Sequence, residues 1–241
     1  MKFLNILFLA ADTARSKGYG QALLKNNLFL KNSVLITDVN SRPGAPQNNV
    51  IPDERLYDNI LVPDLQVSLR STLEELSENL IENDSGSIND DSIHSIIKNT
   101  HPDLVIYSGF GGEIVRTSTL DLGPKFLHLH SGDLPDYKGS TTIYYSILNR
   151  EQCCVTAILL SAGIDEGEII LKRYFDRPTK KMDIDYLYDV SIRSQVLVDA
   201  LKLWAENARF VNTTLQNRQD GEVYYVIHPI LKHLAIMSLE E

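Results

Sequence analysis

The chain opens on a nearly unbroken apolar run, residues 3–10, of the kind a strand buried on both faces needs. Apolar residues then recur at helical spacing over residues 14–30, at Tyr19, Leu23, Leu24 and Leu28. Residues 33–39 are rich in β-branched side chains and predict a second strand. Residues 41–52 hold Arg-Pro-Gly-Ala-Pro and Asn-Asn, which predict a loop. Residues 60–70 fit no single period. The pattern then predicts a helix over 71–81 and an exposed polar turn over 83–91. A further helix is predicted over 91–99, capped by Asp91 or Ser92.

The second half has clearer periods. Strands are predicted over 103–108, 126–131, 155–161 and 168–174, and a short helix over 141–149. A long amphipathic helix over 183–208 carries Leu187, Val190, Val198, Leu201 and Trp204 among its apolar positions. The tail from Asp220 contains Tyr224-Tyr-Val-Ile-His-Pro229 and ends in the apolar stretch 230–237. Strands alternating with helices predict an α/β fold: an open, mostly parallel, Rossmann-like sheet with helices on both faces. The expected division is a catalytic domain at 1–208 and a short C-terminal extension, 209–241, packed on the same domain. In such sheets ligands bind outside the carboxyl ends of the strands. The loops at 109–112, 131–139 and 162–167 each follow a predicted strand and are expected to converge on one crevice.

Composition narrows the partners. The 241 residues are 43% apolar and 23% charged, which suits one globular unit. The net charge is −9 and no block of lysines or arginines is present, which sets nucleic acid aside. An anionic small molecule is compatible, because a few local arginines can hold it against the global charge. Cys153 and Cys154 are adjacent and poorly placed for a structural disulfide, so both read as reduced thiols of a cytoplasmic protein. The start mimics a signal peptide, but its apolar run is short and a polar helix-like stretch follows without a cleavage site. A first buried strand is the preferred reading. No apolar run approaches the ~20 residues that span a bilayer, so no membrane partner is expected. A homodimer is compatible with the long helix or the C-terminal segment as its face.

The candidate chemistry lies in the crevice loops. His128 and His130 are two apart on a strand, so both rings share one face. They run into a turn fixed by Gly132, Pro135 and Gly139. Asp165, in Gly163-Ile-Asp-Glu-Gly167, reads alone as a β-turn residue. Opposite His130 it becomes a carboxylate able to orient and polarise an imidazole. Two chemistries fit these three residues. One is metal binding by His-x-His and a carboxylate. The other is general acid–base catalysis with oxyanion stabilisation. The local pattern does not separate them.

Residues 103–175 resemble the 10-formyltetrahydrofolate-dependent formyltransferases. That family carries a strand ending in Asn-x-His, a Ser-Leu-Leu-Pro-like turn, Tyr-Arg-Gly, Gly-Val-Thr and a loop with Asp-x-Gly. The matching residues are His128-Leu-His130, Leu134-Pro135, Tyr137-Lys-Gly139, Val155-Thr156 and Asp165-Glu-Gly167. Residues 103–112 look like the family's strand and folate-pocket loop. The departure is His128, which stands where the family has asparagine. A ring N–H can replace the amide donor if tautomer and reach allow.

The resemblance implies the formyltransferase fold, 10-formyltetrahydrofolate as formyl donor and no metal. It implies that His130 stabilises the developing oxyanion and moves a proton, that His128 adds a hydrogen bond, and that Asp165 holds His130. A folate pocket is expected from Phe110, Gly111, Gly112, Ile114, Ala162, Gly163 and Ile164. The whole chain looks most like the sugar N-formyltransferases, with similarity to the pseudaminic-acid-pathway type. Those act on nucleotide-linked amino deoxysugars. Arg15, Ser16, Lys17 and Tyr19 are then expected at the nucleotide, with the first three at a helix start suited to a diphosphate. Tyr137, Lys138 and Tyr144 are expected near the sugar. A glycinamide-ribonucleotide or other small-amine formyltransferase is the nearest alternative. A metal-dependent hydrolase and a non-catalytic folate-binding relative stay open.

Overall fold

Alternate residues of the first strand, β1 (Leu4–Ala11), serve two different cores. Ile6, Phe8 and Ala10 join one apolar cluster, and Leu7 and Leu9 join another on the opposite face. This is the period of two expected of a strand covered on both sides. The computed structural model describes residues 2–37, 60–217 and 219–241. The predicted loop over 41–52, and the last two residues of the predicted strand over 33–39, lie outside them.

Among the described residues one sheet has seven strands, in the order β3-β2-β1-β4-β5-β7-β8. They are β2 (Leu30–Ile36), β3 (Ser77–Asn83), β4 (Leu104–Ser108), β5 (Lys125–His130), β7 (Gln152–Leu159) and β8 (Ile169–Asp176), with β1. β1 to β5 run parallel, whereas β7 is antiparallel to both β5 and β8. The first core lies under α1 (Ala14–Lys25), α2 (Leu69–Leu76), α5 (Thr142–Asn149) and α6 (Asp189–Asn207). The second lies under α3 (Asp91–Thr100) and the short α4 (Thr117–Leu120). The strand order reverses between β1 and β4, so a crevice opens outside their carboxyl ends.

Several expectations change. The predicted helix over 71–81 stops at Leu76, and residues 77–83 become strand β3. Leu73, Leu76 and Leu80 have helical spacing. Backbone pairing with the open edge of β2, from Leu30–Ser77 to Ile36–Asn83, overrides it. Over 83–91 the turn is not an exposed one. Ile88 is fully buried in the second core. The cap of α3 is Asp90, whose side chain accepts the Ser92 N–H at 2.9 Å. Helix α1 ends at Lys25, because Asn27 turns the backbone to positive φ, and Leu28 falls in the turn. Of the ambiguous 60–70 stretch, residues 60–68 form no regular element and the last two open α2. The long helix begins with a π-helical turn, Ile184–Tyr188, and then runs on as α6. Leu187, Val190, Val198, Leu201 and Trp204 are all buried there, as their spacing requires. Cys153 and Cys154 are free and buried, and burial pushes their thiols up to about 11 and about 12.

Residues beyond α6 return to the strand ends. β9 (Glu222–Tyr224) pairs with β6 (Tyr137–Gly139) in a two-stranded sheet of its own. The Tyr137 and Tyr224 rings stack at 5.0 Å. Helix α7 (Pro229–Met237) follows and packs on α5. Gly139 makes the pairing close: its φ is +99°, and a Cβ there would collide with the Tyr224 carbonyl oxygen. Gly139→Ala should lower stability by about 2 kcal/mol and free the tail. Thermal melts and limited proteolysis of the C-terminus test this, and a wild-type midpoint with a protected tail contradicts it.

Candidate active site

The two histidines occupy the face of β5 that alternation assigns them. Leu127 and Leu129 enter the first core, so His128 and His130 share the opposite face with Phe126. Tyr107, on the same face of β4, lies beside His128 with ring centroids 6.2 Å apart. The third residue arrives less directly. Because β7 is antiparallel, Leu159 lies opposite Leu127, and the loop after β7 leaves at the far end of β5 from His130. The expectation that this loop starts at the carboxyl end of the parallel strands is therefore corrected. Residues 160–165 fold back along β5 and bring Asp165 to His130. Asp165 adopts positive φ, +53°, and its Oδ2 lies 3.3 Å from His130 Nδ1. The same oxygen accepts the Gly139 N–H at 2.8 Å. Gln216 donates to the carbonyls of Asp165 and Gly167 at 2.8 and 2.6 Å and pins the loop from the C-terminal side.

His130 is buried and its ring meets an acceptor on each side, Asp165 at Nδ1 and the Tyr137 carbonyl at Nε2, 2.6 Å away. Burial pushes its pKa down, against the upward pull of Asp165 and of that carbonyl. His128 keeps a solvent-facing edge, but its Nδ1 is sealed from solvent and has no hydrogen-bond partner among the described residues. Its pKa is held well below the usual histidine range, first by burial and then by the positive charges of Arg193 and Arg15. A neutral ring carries one N–H, and the Tyr107 carbonyl competes for it. A buried nitrogen without a partner is costly.

A cavity of about 170 Å³ adjoins these residues. Ile114, Val115, Leu160, Ala162 and Ile164 supply apolar walls, and Glu113, Tyr107, His128 and Asp165 the polar groups. Of the expected folate pocket, Ile114, Ala162, Gly163 and Ile164 line it. Gly111 and Gly112 line a neighbouring depression of about 390 Å³ that shares Glu113 and Ile114. Phe110 lines neither and packs on the second core.

The expected substrate residues divide sharply. Arg15 is half-buried at the crevice and, among the described residues, bonds neutral groups: Ser108 Oγ at 3.2 Å and the Gly109 carbonyl at 2.5 Å. Ser16, Lys17 and Tyr19 turn inward. Ser16 Oγ bonds Ser108, and Lys17 Nζ donates to the Leu65 carbonyl at 2.6 Å. Tyr19 is a core residue whose hydroxyl meets Arg193. Tyr137, Lys138 and Tyr144 are buried too, and the Tyr144 hydroxyl is held by Asp185 at 2.8 Å. Diphosphate contact from Ser16 and Lys17 does not fit this geometry.

A buried network escaped the sequence reading. Arg193 donates to the Leu129 carbonyl and, at 2.8 Å, to Asp189, which also accepts the Ser131 hydroxyl. It braces β5 from the first-core side. No spacing rule links residue 193 to residue 129, so the only sequence signal was a charged pair, Asp189 and Arg193, inside an otherwise apolar helix face.

His128, His130 and Asp165 each offer a ligand atom within 4.8 Å of the others, so the cluster can also hold a metal ion. No described helix is long and apolar enough to cross a membrane.

No protein-family model matches the chain. A methionyl-tRNA formyltransferase from Sulfurovum sp. is 32% identical over 134 residues, covering 55% of this chain and 41% of that protein. The match thus spans less than half the length of that relative. Glycinamide ribonucleotide transformylase 1 from Symbiobacterium toebii superposes with a TM-score of 0.60 over 89% of this chain and 95% of that one, at 14% identity. A sugar N-formyltransferase from a Shewanella species gives 0.56 over 97% and 87%, at 13% identity. The fold is that of the formyltransferase structures.

The histidine environments set a pH dependence. Folded His128 and His130 bind protons less readily than in the unfolded chain, whose histidines titrate near ~6.5. Their contribution to stability is present above that value and is lost as pH falls below it, at up to ~1.4 kcal/mol per pH unit for each ring. Denaturation between pH 7 and pH 5 should show this slope, and His128→Asn should flatten it. Identical slopes in the two proteins contradict the burial of an uncharged His128.

Proposed function

We propose that the protein transfers a formyl group from 10-formyltetrahydrofolate to the amino group of a nucleotide-linked amino deoxysugar. One observation carries the reading: His130 and Asp165, from distant parts of the chain, meet at 3.3 Å beside an apolar cavity that also holds His128. The cavity suits a flat heterocycle, with apolar walls and polar groups at few points. The named likenesses, a methionyl-tRNA formyltransferase in sequence and two formyltransferases in fold, support the same reaction class.

Bound folate supplies the formyl carbon and the leaving nitrogen. The chain's own groups do the rest. Burial keeps His130 neutral, so the ring nitrogen without a proton can take the one that an attacking amine loses, and Asp165 and the Tyr137 carbonyl steady the charged ring that results. Asp165 holds Nδ1 while this proton passes toward the leaving nitrogen. His130 reaches the formyl oxygen by turning its Nε2–H away from the Tyr137 carbonyl, and His128 adds an N–H in place of the family's asparagine. Arg193 and Arg15, which add to burial in keeping His128 uncharged, raise the local positive potential and so favour negative charge on that oxygen.

For the acceptor, Arg15 is the expected substrate residue that remains at the crevice with no carboxylate on its guanidinium among the described residues, and it suits a phosphate oxygen. The charge of −9 and the lack of a basic block favour a small acceptor over tRNA. Reduced, buried thiols suit the cytoplasm. A metal-dependent hydrolase is the second reading, favoured by the 4.8 Å cluster, and bound metal with chelator-sensitive activity would select it.

The test is incubation with 10-formyltetrahydrofolate and a panel of nucleotide-linked amino sugars, glycinamide ribonucleotide and methionyl-tRNA, followed by mass spectrometry. A formylated sugar is expected. Product only from glycinamide ribonucleotide or methionyl-tRNA overturns the acceptor. His130→Ala and Asp165→Ala should each lose at least ~100-fold in turnover with folding intact. Near-wild-type turnover in either variant overturns the assignment of that residue.

A further inference from the structure

The cavity beside His128 contains a carboxylate to which the catalytic reading gives no task. Glu113 follows the glycine pair Gly111-Gly112 and is half-buried at the junction of the cavity and its neighbouring depression. Its Oε1 accepts from the Ser87 hydroxyl at 2.6 Å and from the Ile88 N–H at 3.0 Å. Two donors fill the two lone-pair directions of that oxygen. Among the described residues Oε2 has one contact, the Tyr107 hydroxyl, at the long distance of 3.4 Å. It retains the capacity for a stronger donor.

The surroundings restrict what that donor can be. Ile114, Val115, Leu160 and Ile164 line the same space, so the occupant is largely apolar and small enough for a cavity of about 170 Å³. A carboxylate in such a slot repels phosphate and carboxylate groups and attracts N–H, and a charge-assisted bond there is stronger than in water. These conditions select a flat heterocycle with an N–H edge.

We propose that Glu113 reads the 2-amino-pyrimidinone edge of the pterin ring, with Oε2 accepting an N–H of the 2-amino group. This rests on the folate reading above and adds a binding residue to it. Glu113 thereby has two tasks on two oxygens. Oε1 ties residues 87–88 to the cavity wall, and Oε2 recognises the ring.

Glu113→Gln separates the tasks. The amide oxygen can still accept from Ser87 and Ile88, while the amide nitrogen turns a donor toward the ring's donor. Binding is measured by calorimetry with two ligands, 5-formyltetrahydrofolate and its analogue carrying a 2-methyl group in place of the 2-amino group. Wild-type protein should prefer the amino ligand by at least about tenfold, the size of one charge-assisted hydrogen bond. Glu113→Gln should bind that ligand at least about tenfold more weakly and lose the preference, with its thermal midpoint retained. If wild-type protein binds the two ligands equally, the Glu113 assignment fails whatever the variant does. If Glu113→Gln keeps both affinity and preference, the assignment fails while the folate reading stands. If wild-type protein binds neither ligand, the folate reading fails and takes this inference with it.

Discussion

The Asp165 carboxylate accepts the Gly139 N–H and faces the His130 ring from a single oxygen. Three separate segments must be placed for those contacts to coexist. His130 is delivered by the end of β5. Gly139 comes from the turn after it, and Asp165 from a loop that must run back along β5 because β7 is antiparallel. None of these segments is held by its own residues alone. Gln216 holds the Asp165 loop, and β9 holds Gly139 by backbone pairing. The C-terminal residues are thus part of how the site is built, even though none of them lines the cavity beside His128.

Charge organises the same region from below. Arg15 and Arg193 are close enough to lower the pKa of His128, and Asp189 partners Arg193 beneath β5. Burying two guanidiniums beside two imidazoles is tolerated because the guanidiniums carry charge-assisted bonds and the imidazoles stay uncharged. This has a chemical consequence. An asparagine offers N–H donors at any pH, whereas a neutral histidine offers one, whose position depends on the tautomer. The residue at 128 is therefore tuned by its neighbours in a way an amide would not be.

The candidate site was partly legible in the residues. His128 and His130 share a face because strands have a period of two, and no tertiary information is needed to see that. Ile114, Ala162, Gly163 and Ile164 were expected at a folate through the family resemblance, and they line the cavity beside His128. No motif or spacing singles out Glu113, because its role depends on Ser87, Ile88 and Tyr107 meeting it in the fold. Ser16 and Lys17 were placed at the nucleotide because a basic, hydroxyl-bearing helix start suits phosphate. In the fold that start is sealed by Ser108 and by the 60–68 segment, which take the hydroxyl and the ammonium for themselves. The helix expected over 71–81 failed for a similar reason, since Ser77 to Asn83 complete the edge of β2.

By itself the sequence determined the layers of the protein and the residue types of its chemistry. Period-two and period-3.6 patterns reflect local burial, and local burial decides which face of a strand or helix turns inward. Only the tertiary structure decided which residues meet. The direction of β7, the return of the tail onto Gly139 and the inward rotation of Ser16 and Lys17 depend on pairings between residues tens of positions apart. No local period encodes such a pairing, because its free energy comes from contacts that exist only after the chain has closed on itself.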